Sequence, residues 1–456
     1  MRHLIFLCVL LLIATKTYAI ILSGPVGIER DSLGYWNLST LVMQGDVLMM
    51  QEPIAYRTPV YPWFLAACRK VALEQPLWLI SILQGTLYVG SVYLAARISL
   101  RITKIPRSQT LTAIFMIPAV AAAQYTTAIL SETLFVFLLL LHLLSLLNYA
   151  NSPTKWRIAW SAITFAICVL TRPIVQLIWI AHLGLLIYFA IRRKRINKLQ
   201  EIRFYKTRHA GIAICIILFI CSPFLVRNYL LFGKPFLTEF IGRNLWIVTF
   251  QDGSGSNLPM PSTPASDELQ KRVTLVNSPV DLRSTWSVSN QLVQSGLNDA
   301  AADGLMKQVA VEAISDNRMA FAKKTARRII NYWRCANTTT LRQGDPDQDY
   351  HSQTTWMHPI EPMKVWLENR FSQSVIGNTL LTCGLALALI YLLQNPLTRP
   401  YALWLGLIFS YFSVVTGIFE IPDYRYRFVL EPLIASSFGS SLAILLSQRR
   451  REAKLV

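Results

Sequence analysis

Several charged residues in this chain stand at or near the outer ends of apolar runs, and their types suit proton transfer and phosphate binding. They are Asp31, Glu132, Arg57, Arg172, Arg227, Arg425 and Arg427. A carboxylate can take the proton of a reacting hydroxyl. A guanidinium matches a phosphate group with two parallel hydrogen bonds. Together these residue types predict a site for an anionic ligand at the surface of a membrane.

Asp31 lies about ten residues beyond the first apolar run, in the segment Glu29–Trp36. One structural explanation is a solvated loop acid, and another is an N-cap for a helix over Ser32–Gln44. The functional alternative is a general base held beside the bilayer.

Arg57 precedes two prolines in Tyr56–Phe64, a segment that also holds Tyr61. Proline fixes the local backbone, so Arg57 is expected to be held in one direction. The structural alternative is an aromatic belt with an arginine that reaches to the interface. The functional alternative is a phosphate clamp.

Glu132 opens an apolar run in Ser131–Phe135, where the dipole of a helix N-terminus alone would favour a carboxylate. An ionisable residue at membrane depth is nevertheless a site hypothesis. Arg427 and Glu431 are four residues apart and form a pair along a helix in the simplest interpretation. Arg425 has no such obvious partner.

The elements that must position these residues are membrane spans. Hydrophobic residues make up 53% of the 456-residue chain and charged residues only 15%, and the apolar residues form long runs. We predict ten spans: Leu4–Ile21, Pro76–Ala96, Leu111–Ala123, Leu134–Leu147, Ile158–Leu170, Ile174–Ile191, Ala210–Leu225, Ile376–Leu393, Tyr401–Ile418 and Phe428–Leu446.

The net charge of +19 is explained by topology. The short loops and tails on one side of these spans hold 20 lysines and arginines, with Glu201 and Glu452 as the only acids. Basic residues are retained in the cytoplasm, so both termini are predicted inside and Asp31 outside. Nucleic-acid binding is not indicated, because no basic folded domain is present. An alternative for Met1–Ala19 is a signal peptide, which leaves Asp31 outside as well.

Three regions follow from this topology. Residues 1–226 form a membrane region whose first outer loop, 22–75, carries Asp31. Residues 227–370 form an outer soluble domain, with helices over Leu297–Ile314 and Met319–Trp333, and residues 371–456 form a second membrane region. The acidic run Asp345–Asp349 is either a solvated loop or a site for a hard cation.

Six different short motifs lie in a fixed order along nearly the whole chain. They are Asp31 with Tyr35, residues 57–62, 131–135 and 171–173, Arg227-Asn228, and Arg425-Tyr426. This set resembles the GT-C superfamily of membrane glycosyltransferases. The matching branch is protein mannosyltransferase-like and includes lipid A aminoarabinose transferases. The chain departs from the pattern at Ser32, where many relatives have a second acid, and at Glu431 before Pro432.

The resemblance implies an all-α polytopic GT-C-like fold with about ten transmembrane helices and a mainly helical outer domain. It implies a transferase that moves a sugar from a polyprenyl-phosphate carrier to an acceptor hydroxyl of a lipid, glycan or protein, with inversion. Asp31 would be the general base, with Glu132 as its rival. The substrate-binding residues would be Tyr35, Arg57, Tyr61, Arg172, Arg227, Arg425 and Arg427. No metal ligand or cofactor is assigned, and a divalent-metal requirement stays open. The expected location is a bacterial inner membrane.

Two other classes of protein also fit a polytopic chain with charges near the membrane. One is a non-enzymatic transporter or lipid flippase, although the single large insertion after the seventh predicted span breaks the repeated halves typical of transporters. The other is a receptor-like or assembly protein. Loss of all activity in a folded Asp31→Asn variant would distinguish an enzyme from both.

Overall fold

The computed structural model describes residues 2–25, 28, 31–196, 202–251, 256–276, 281–282, 284–334 and 375–452. Across these ranges the chain is helical and contains no β-strand, which confirms the all-α prediction. The acidic run Asp345–Asp349 lies outside the described residues.

In the described ranges, ten α-helices lie between Arg2 and Phe232. They are α1 (Arg2–Leu22), α2 (Asp31–Met43), α3 (Val60–Val71), α4 (Pro76–Thr103), α5 (Arg107–Met116), α6 (Val120–Gln124), α7 (Glu132–Asn151), α8 (Lys155–Val169), α9 (Trp179–Ile196) and α10 (Ile202–Phe232).

Nine more α-helices follow within the ranges that the structure describes. They are α11 (Ile241–Trp246), α12 (Pro264–Thr274), α13 (Thr285–Gln294), α14 (Asp299–Asp316), α15 (Arg318–Arg334), α16 (Val375–Gln394), α17 (Arg399–Phe419), α18 (Tyr424–Arg427) and α19 (Glu431–Glu452).

Seven helices in the described ranges are long and apolar enough to cross a membrane: His3–Leu22, Pro76–Thr103, Glu132–Asn151, Arg208–Phe232, Gly377–Gln394, Arg399–Phe419 and Tyr424–Arg449. The chain is therefore an integral membrane protein of multi-pass type. The predicted count of ten is not confirmed. Pro118 lies in the break between α5 and α6, α8 has only 15 residues, and the run after Arg172 begins with a 3-10 turn before α9.

Small residues let α19 approach its neighbours closely. Ser436 Oγ donates to the carbonyl of Ala95 at 2.7 Å, and the hydroxyls of Ser440 and Ser99 lie 2.9 Å apart. A Cβ at Gly439 would lie 2.6 Å from the backbone nitrogen of Thr112 in α5. Such contacts are how helices associate where no water drives them together. They fix α19, and with it the adjacent α18, against α4 and α5.

The helices α11 to α15 surround a second apolar core and are called here the helical domain. The buried side chains of this core lie between Leu245 and Ala313 and include Trp246, Leu292 and Met306, and Phe321 of α15 packs against them. The break between α14 and α15 falls at Asn317, as the sequence predicts. The helix α15 packs against α17, so this domain is attached directly to the membrane region.

Candidate active site

Arg425 stands at the centre of a cluster of charged side chains. It lies in the short helix α18, whose N-cap Asp423 accepts a hydrogen bond from the Arg425 backbone nitrogen at 2.7 Å. Its guanidinium donates through Nη1 to Asp31 Oδ2 at 2.7 Å and through Nε to Glu132 Oε1. One arginine therefore joins two carboxylates from α2 and α7.

Glu132 is the buried anchor of the cluster. It begins α7 and its side chain is 0% exposed. Arg172, from the segment after α8, forms a second ion pair with Glu132 Oε1. Two guanidinium groups therefore hold this carboxylate, which gives a buried charge the partners it needs.

Asp31 is the first residue of α2 and faces Arg57 as well as Arg425. Arg57 Nη2 lies 3.4 Å from Asp31 Oδ1. The Asp31 side chain is 44% exposed, unlike that of Glu132. Burial of its surroundings raises the pKa of Asp31, but the guanidinium groups of Arg425 and Arg57 outweigh this effect and hold the pKa at about 2. We call Asp31, Arg57, Glu132, Arg172 and Arg425 the arginine–carboxylate cluster.

Two residues of α2, Tyr35 and Gly34, hold the guanidinium of Arg57 in its place within the cluster. Its guanidinium lies over the ring of Tyr35, with Cζ 4.0 Å from the ring centroid, and the Tyr35 hydroxyl lies 3.2 Å from Ser131 Oγ. A Cβ at Gly34 would lie 2.9 Å from Arg57 Nη2, so only glycine leaves this space free. Among the described residues, the buried Arg57 Nε has no hydrogen-bond partner.

A second layer of hydrogen bonds fixes the backbone that carries these side chains. The Tyr61 hydroxyl donates to Gln84 Oε1 at 3.0 Å, and Gln84 Nε2 donates to the carbonyls of Thr126 and Ala128. Thr58 Oγ1 donates to the carbonyl of Thr171 at 3.0 Å. The segment that follows Arg57 is thereby tied to the segments that precede Glu132 and Arg172.

Tyr61 belongs to this supporting layer, although the sequence groups it with the substrate-binding residues. It is fully buried, and its ring packs edge-on against Tyr35 with centroids 4.9 Å apart.

Glu420 is a carboxylate near the cluster that the sequence motifs do not single out as a site residue. It directly follows α17, and Asn244 of the helical domain donates to its Oε1 at 3.1 Å. Burial raises the pKa of Glu420 to about 7, against the opposing effect of Tyr426, Arg172 and Arg425. A signal was available, because Glu420 ends an apolar run on the same side as Asp423 and Arg425.

Two of the predicted ligand arginines have other contacts. Arg227 is buried and donates to the backbone carbonyls of Leu48, Met49, Glu52 and Ile54, so it holds the 44–59 loop that leads to Arg57. Arg427 is buried, pairs with Glu431 at 3.1 Å and donates to the carbonyl of Trp333. The structure does not bring these two side chains into the cluster, and the helical pairing of Arg427 is the alternative that the sequence offers.

The reason for both placements is desolvation. A guanidinium taken out of water must satisfy its donors, and a row of loop carbonyls or an adjacent carboxylate does so. The described residues contain no group of three or more histidine, cysteine, aspartate or glutamate side chains placed to hold a metal ion.

A comparison with solved structures finds matches of low sequence identity and low TM-score. ArnT from Cupriavidus metallidurans bound to undecaprenyl phosphate is 12% identical, with a TM-score of 0.36, over 94% of this chain and 77% of that one. The same enzyme in the apo state is 10% identical, with a TM-score of 0.35, over 84% and 72%.

The archaeal oligosaccharyltransferase AglB from Archaeoglobus fulgidus, in complex with an inhibitory peptide and a dolichol-phosphate, is 9% identical with a TM-score of 0.45. The match covers 99% of this chain, which spans about half of AglB, 51% of its length. No protein-family model matches the chain, and no curated protein does. Similarities of this size assign neither a substrate nor a residue role to this chain.

Proposed function

We propose that the chain is a membrane glycosyltransferase of the GT-C type. It moves a sugar from a polyprenyl-phosphate carrier to an acceptor hydroxyl of a lipid, glycan or protein, at the outer face of the membrane. Both termini are in the cytoplasm, and residues 227–370 are outside. The carrier belongs to the same chemical class as undecaprenyl phosphate and dolichol-phosphate, the lipids named in the ArnT and AglB structures.

The charge of the arginine–carboxylate cluster is the observation that carries this proposal. In the ion pairs of the cluster three arginines meet two carboxylates, which leaves a formal charge of +1 when the neighbouring Glu420 is protonated. The sugar-carrying phosphodiester has a single negative charge that this excess would balance. Arg57 Nε, which has no partner in the described part of the chain, offers an additional donor.

The proposed reaction is one displacement. The acceptor oxygen attacks the anomeric carbon and gives its proton to an Asp31 carboxylate oxygen. The bond between the anomeric carbon and the phosphate oxygen breaks, and its electron pair stays on the phosphate. Arginines stabilise that charge, so the leaving group needs no proton. A single displacement from the opposite face inverts the anomeric configuration.

Asp31 is better placed than Glu132 to receive the proton. Its side chain is 44% exposed, whereas that of Glu132 is 0% exposed. Both carboxylates are paired with two guanidinium groups, but the pairs of Glu132 leave it no exposed surface that an acceptor hydroxyl could reach. We therefore assign Glu132 to positioning Arg172 and Arg425.

The test compares membrane glycolipids and glycoproteins of cells with and without the gene, complemented by wild type, Asp31→Asn or Glu132→Gln. We expect one glycan to lose a sugar without the gene and to regain it with wild type alone. A general base contributes at least ~10²-fold to the rate, so Asp31→Asn should not restore the glycan. Normal transfer by Asp31→Asn with no transfer by Glu132→Gln would identify Glu132 as the base. Unchanged glycans in all strains would refute the transferase.

The orientation is tested by labelling. A cysteine at the exposed Asn290 of α13 should react with an impermeant thiol reagent in intact cells, and one at the exposed Lys155 should react only after lysis. The reverse pattern would refute the outer placement of the site.

A further inference from the structure

The arginines that would bind the donor phosphate are already occupied by a carboxylate of the chain. Arg425 Nη1 lies 2.7 Å from Asp31 Oδ2, and Arg57 Nη2 lies 3.4 Å from Asp31 Oδ1. A phosphate oxygen needs the same N–H donors in the same plane. Asp31 and a bound phosphate are therefore competitors for these two guanidinium groups.

The same pairing makes Asp31 a weak proton acceptor. The groups that act on its charge are Arg425, Arg57 and Arg172, and their effect exceeds that of burial and lowers the pKa to about 2. Glu420 and Tyr426 also lie near enough to feel the Asp31 charge. A carboxylate with so low a pKa removes a hydroxyl proton poorly.

The two carboxylates of the cluster differ in how easily they can leave their arginine partners. Glu132 is fully buried and bridges Arg172 and Arg425, so releasing it would leave a buried charge unpaired. Asp31 is 44% exposed and begins α2, so water can solvate it when it leaves the arginines. Glu132 can hold Arg425 in place while Asp31 departs.

We propose that the donor phosphate displaces the Asp31 carboxylate from Arg425 and Arg57, and that this exchange makes Asp31 available as the base. The inference rests on the proposed function and adds an order of events: the donor binds first, and only then is an acceptor hydroxyl activated. In the empty site Asp31 holds the guanidinium groups in the positions that the phosphate later uses.

The exchange predicts that removing the Asp31 charge strengthens lipid phosphate binding. Purified full-length wild type and Asp31→Asn are titrated with undecaprenyl phosphate in lipid nanodiscs. Partly exposed ion pairs contribute little each, so losing the competition of two should lower Kd by about 3- to 10-fold. Asp316→Asn, an exposed change at the end of α14, removes the same charge far from the cluster and should stay within about twofold of wild type.

Undecaprenol, which lacks the phosphate, is the ligand control. Its binding should be the same in wild type and Asp31→Asn, because no anion competes with Asp31. Thermal unfolding of each variant checks the fold, and Asp31→Ser replaces Asp31→Asn if the latter is unstable.

The outcomes separate the two proposals. Equal or weaker undecaprenyl phosphate binding in Asp31→Asn, or the same gain for undecaprenol, would overturn the exchange alone. Failure of wild type and both variants to bind undecaprenyl phosphate would overturn the proposed carrier, and with it the proposed function.

Discussion

The described part of the chain contains two groups in which three or more arginine and carboxylate side chains meet, and their proportions are opposite. In the arginine–carboxylate cluster, three arginines share two carboxylates. In the helical domain, the single Arg243 is shared by Asp299 and Asp303. The first group has an excess of positive charge and the second an excess of negative charge.

Backbone N–H groups satisfy the two carboxylates of the helical-domain group. Asp303 accepts hydrogen bonds from the backbone nitrogens of Gly242 and Arg243 at 2.8 and 2.9 Å, and Asp299 accepts one from Ala55 at 2.7 Å. Arg243 Nε donates to Ser289 at 2.9 Å. This excess of negative charge is satisfied within the fold, whereas Arg57 Nε in the cluster is not. A donor without a partner beside a partly exposed acid can bind a ligand. A group whose hydrogen bonds are all made within the protein instead holds two parts of the fold together.

The largest expected effect concerns the structural group. In Arg243→Met the two acids lose their guanidinium, and Asp303 is fully buried. Removing one partner of a buried ion pair costs ~3–5 kcal/mol. We expect a correspondingly large fall in the thermal unfolding temperature of the purified protein.

The matched control is Arg272→Met, also in the helical domain. Arg272 pairs with Glu268 one helical turn away, and both side chains are partly exposed. Its loss should cost less than about 1 kcal/mol. Similar unfolding temperatures for the two variants would mean that the buried Arg243 group does not stabilise the fold more than an exposed ion pair does.

The second effect concerns Arg425. Its Nε and Nη1 reach Glu132 and Asp31 at once, and the single amine of Arg425→Lys cannot reproduce this fork. We expect undecaprenyl phosphate binding to weaken by about tenfold, which corresponds to about 1.4 kcal/mol, with little change in unfolding temperature. Arg318→Lys, an exposed change at the start of α15, is the control. Wild-type affinity in Arg425→Lys would exclude Arg425 from phosphate binding.

The sequence predicts the positions of the long helices better than the tertiary contacts between them. Apolar runs locate the long helices because burial in lipid demands uninterrupted apolar stretches, and Asn317 marks the break after α14 because it cannot continue the apolar pattern. The shorter run 111–123 does not form one continuous helix, since Pro118 lies in the break between α5 and α6. Composition alone does not show this difference.

The site residues show the same limit. Arginines at the ends of apolar runs suggest an anion site, but nothing local distinguishes Arg425, which reaches Asp31 across 394 residues of sequence, from Arg227, which holds backbone carbonyls. Glu420 ends an apolar run, but its proximity to Asn244 and Arg172, which are distant in the sequence, follows only from the packing of the helices. Long-range packing decides which of several similar charges meet.

The third effect is a dependence of stability on pH. The pKa of Asp31 is about 2 in the folded protein against an ordinary value of 3.8. A lowered folded-state pKa stabilises the protein above pH 3.8 and ceases to do so as the pH falls toward 2. Because the side chain is 44% exposed, solvent screening limits the contribution to about 1 kcal/mol at most.

Thermal unfolding of wild type and Asp31→Asn at pH 7 and pH 3 measures this contribution. At pH 7 wild type should unfold at a higher temperature than Asp31→Asn, and this difference in unfolding temperature should be smaller at pH 3. A difference that grows on acidification would mean that Asp31 is not paired as a carboxylate.

The smallest expected effect tests shape in place of charge. In Gly34→Ala the new Cβ would lie 2.9 Å from Arg57 Nη2 and 3.0 Å from Nε. The group it meets is the end of a flexible side chain, and alanine favours a helix by about 1 kcal/mol over glycine, so α2 should remain stable or gain stability. The guanidinium must shift, and Arg57 would then lose its position beside Asp31. Since Arg425 still binds, we expect undecaprenyl phosphate affinity to fall only about threefold, with an unchanged or higher unfolding temperature.

Gly304→Ala in α14, where a Cβ meets nothing within 4 Å, is the control, because it gives the same gain in helix propensity without the contact. If both variants bind like wild type, Arg57 does not contribute to the phosphate site, and the excess charge of the cluster has another purpose.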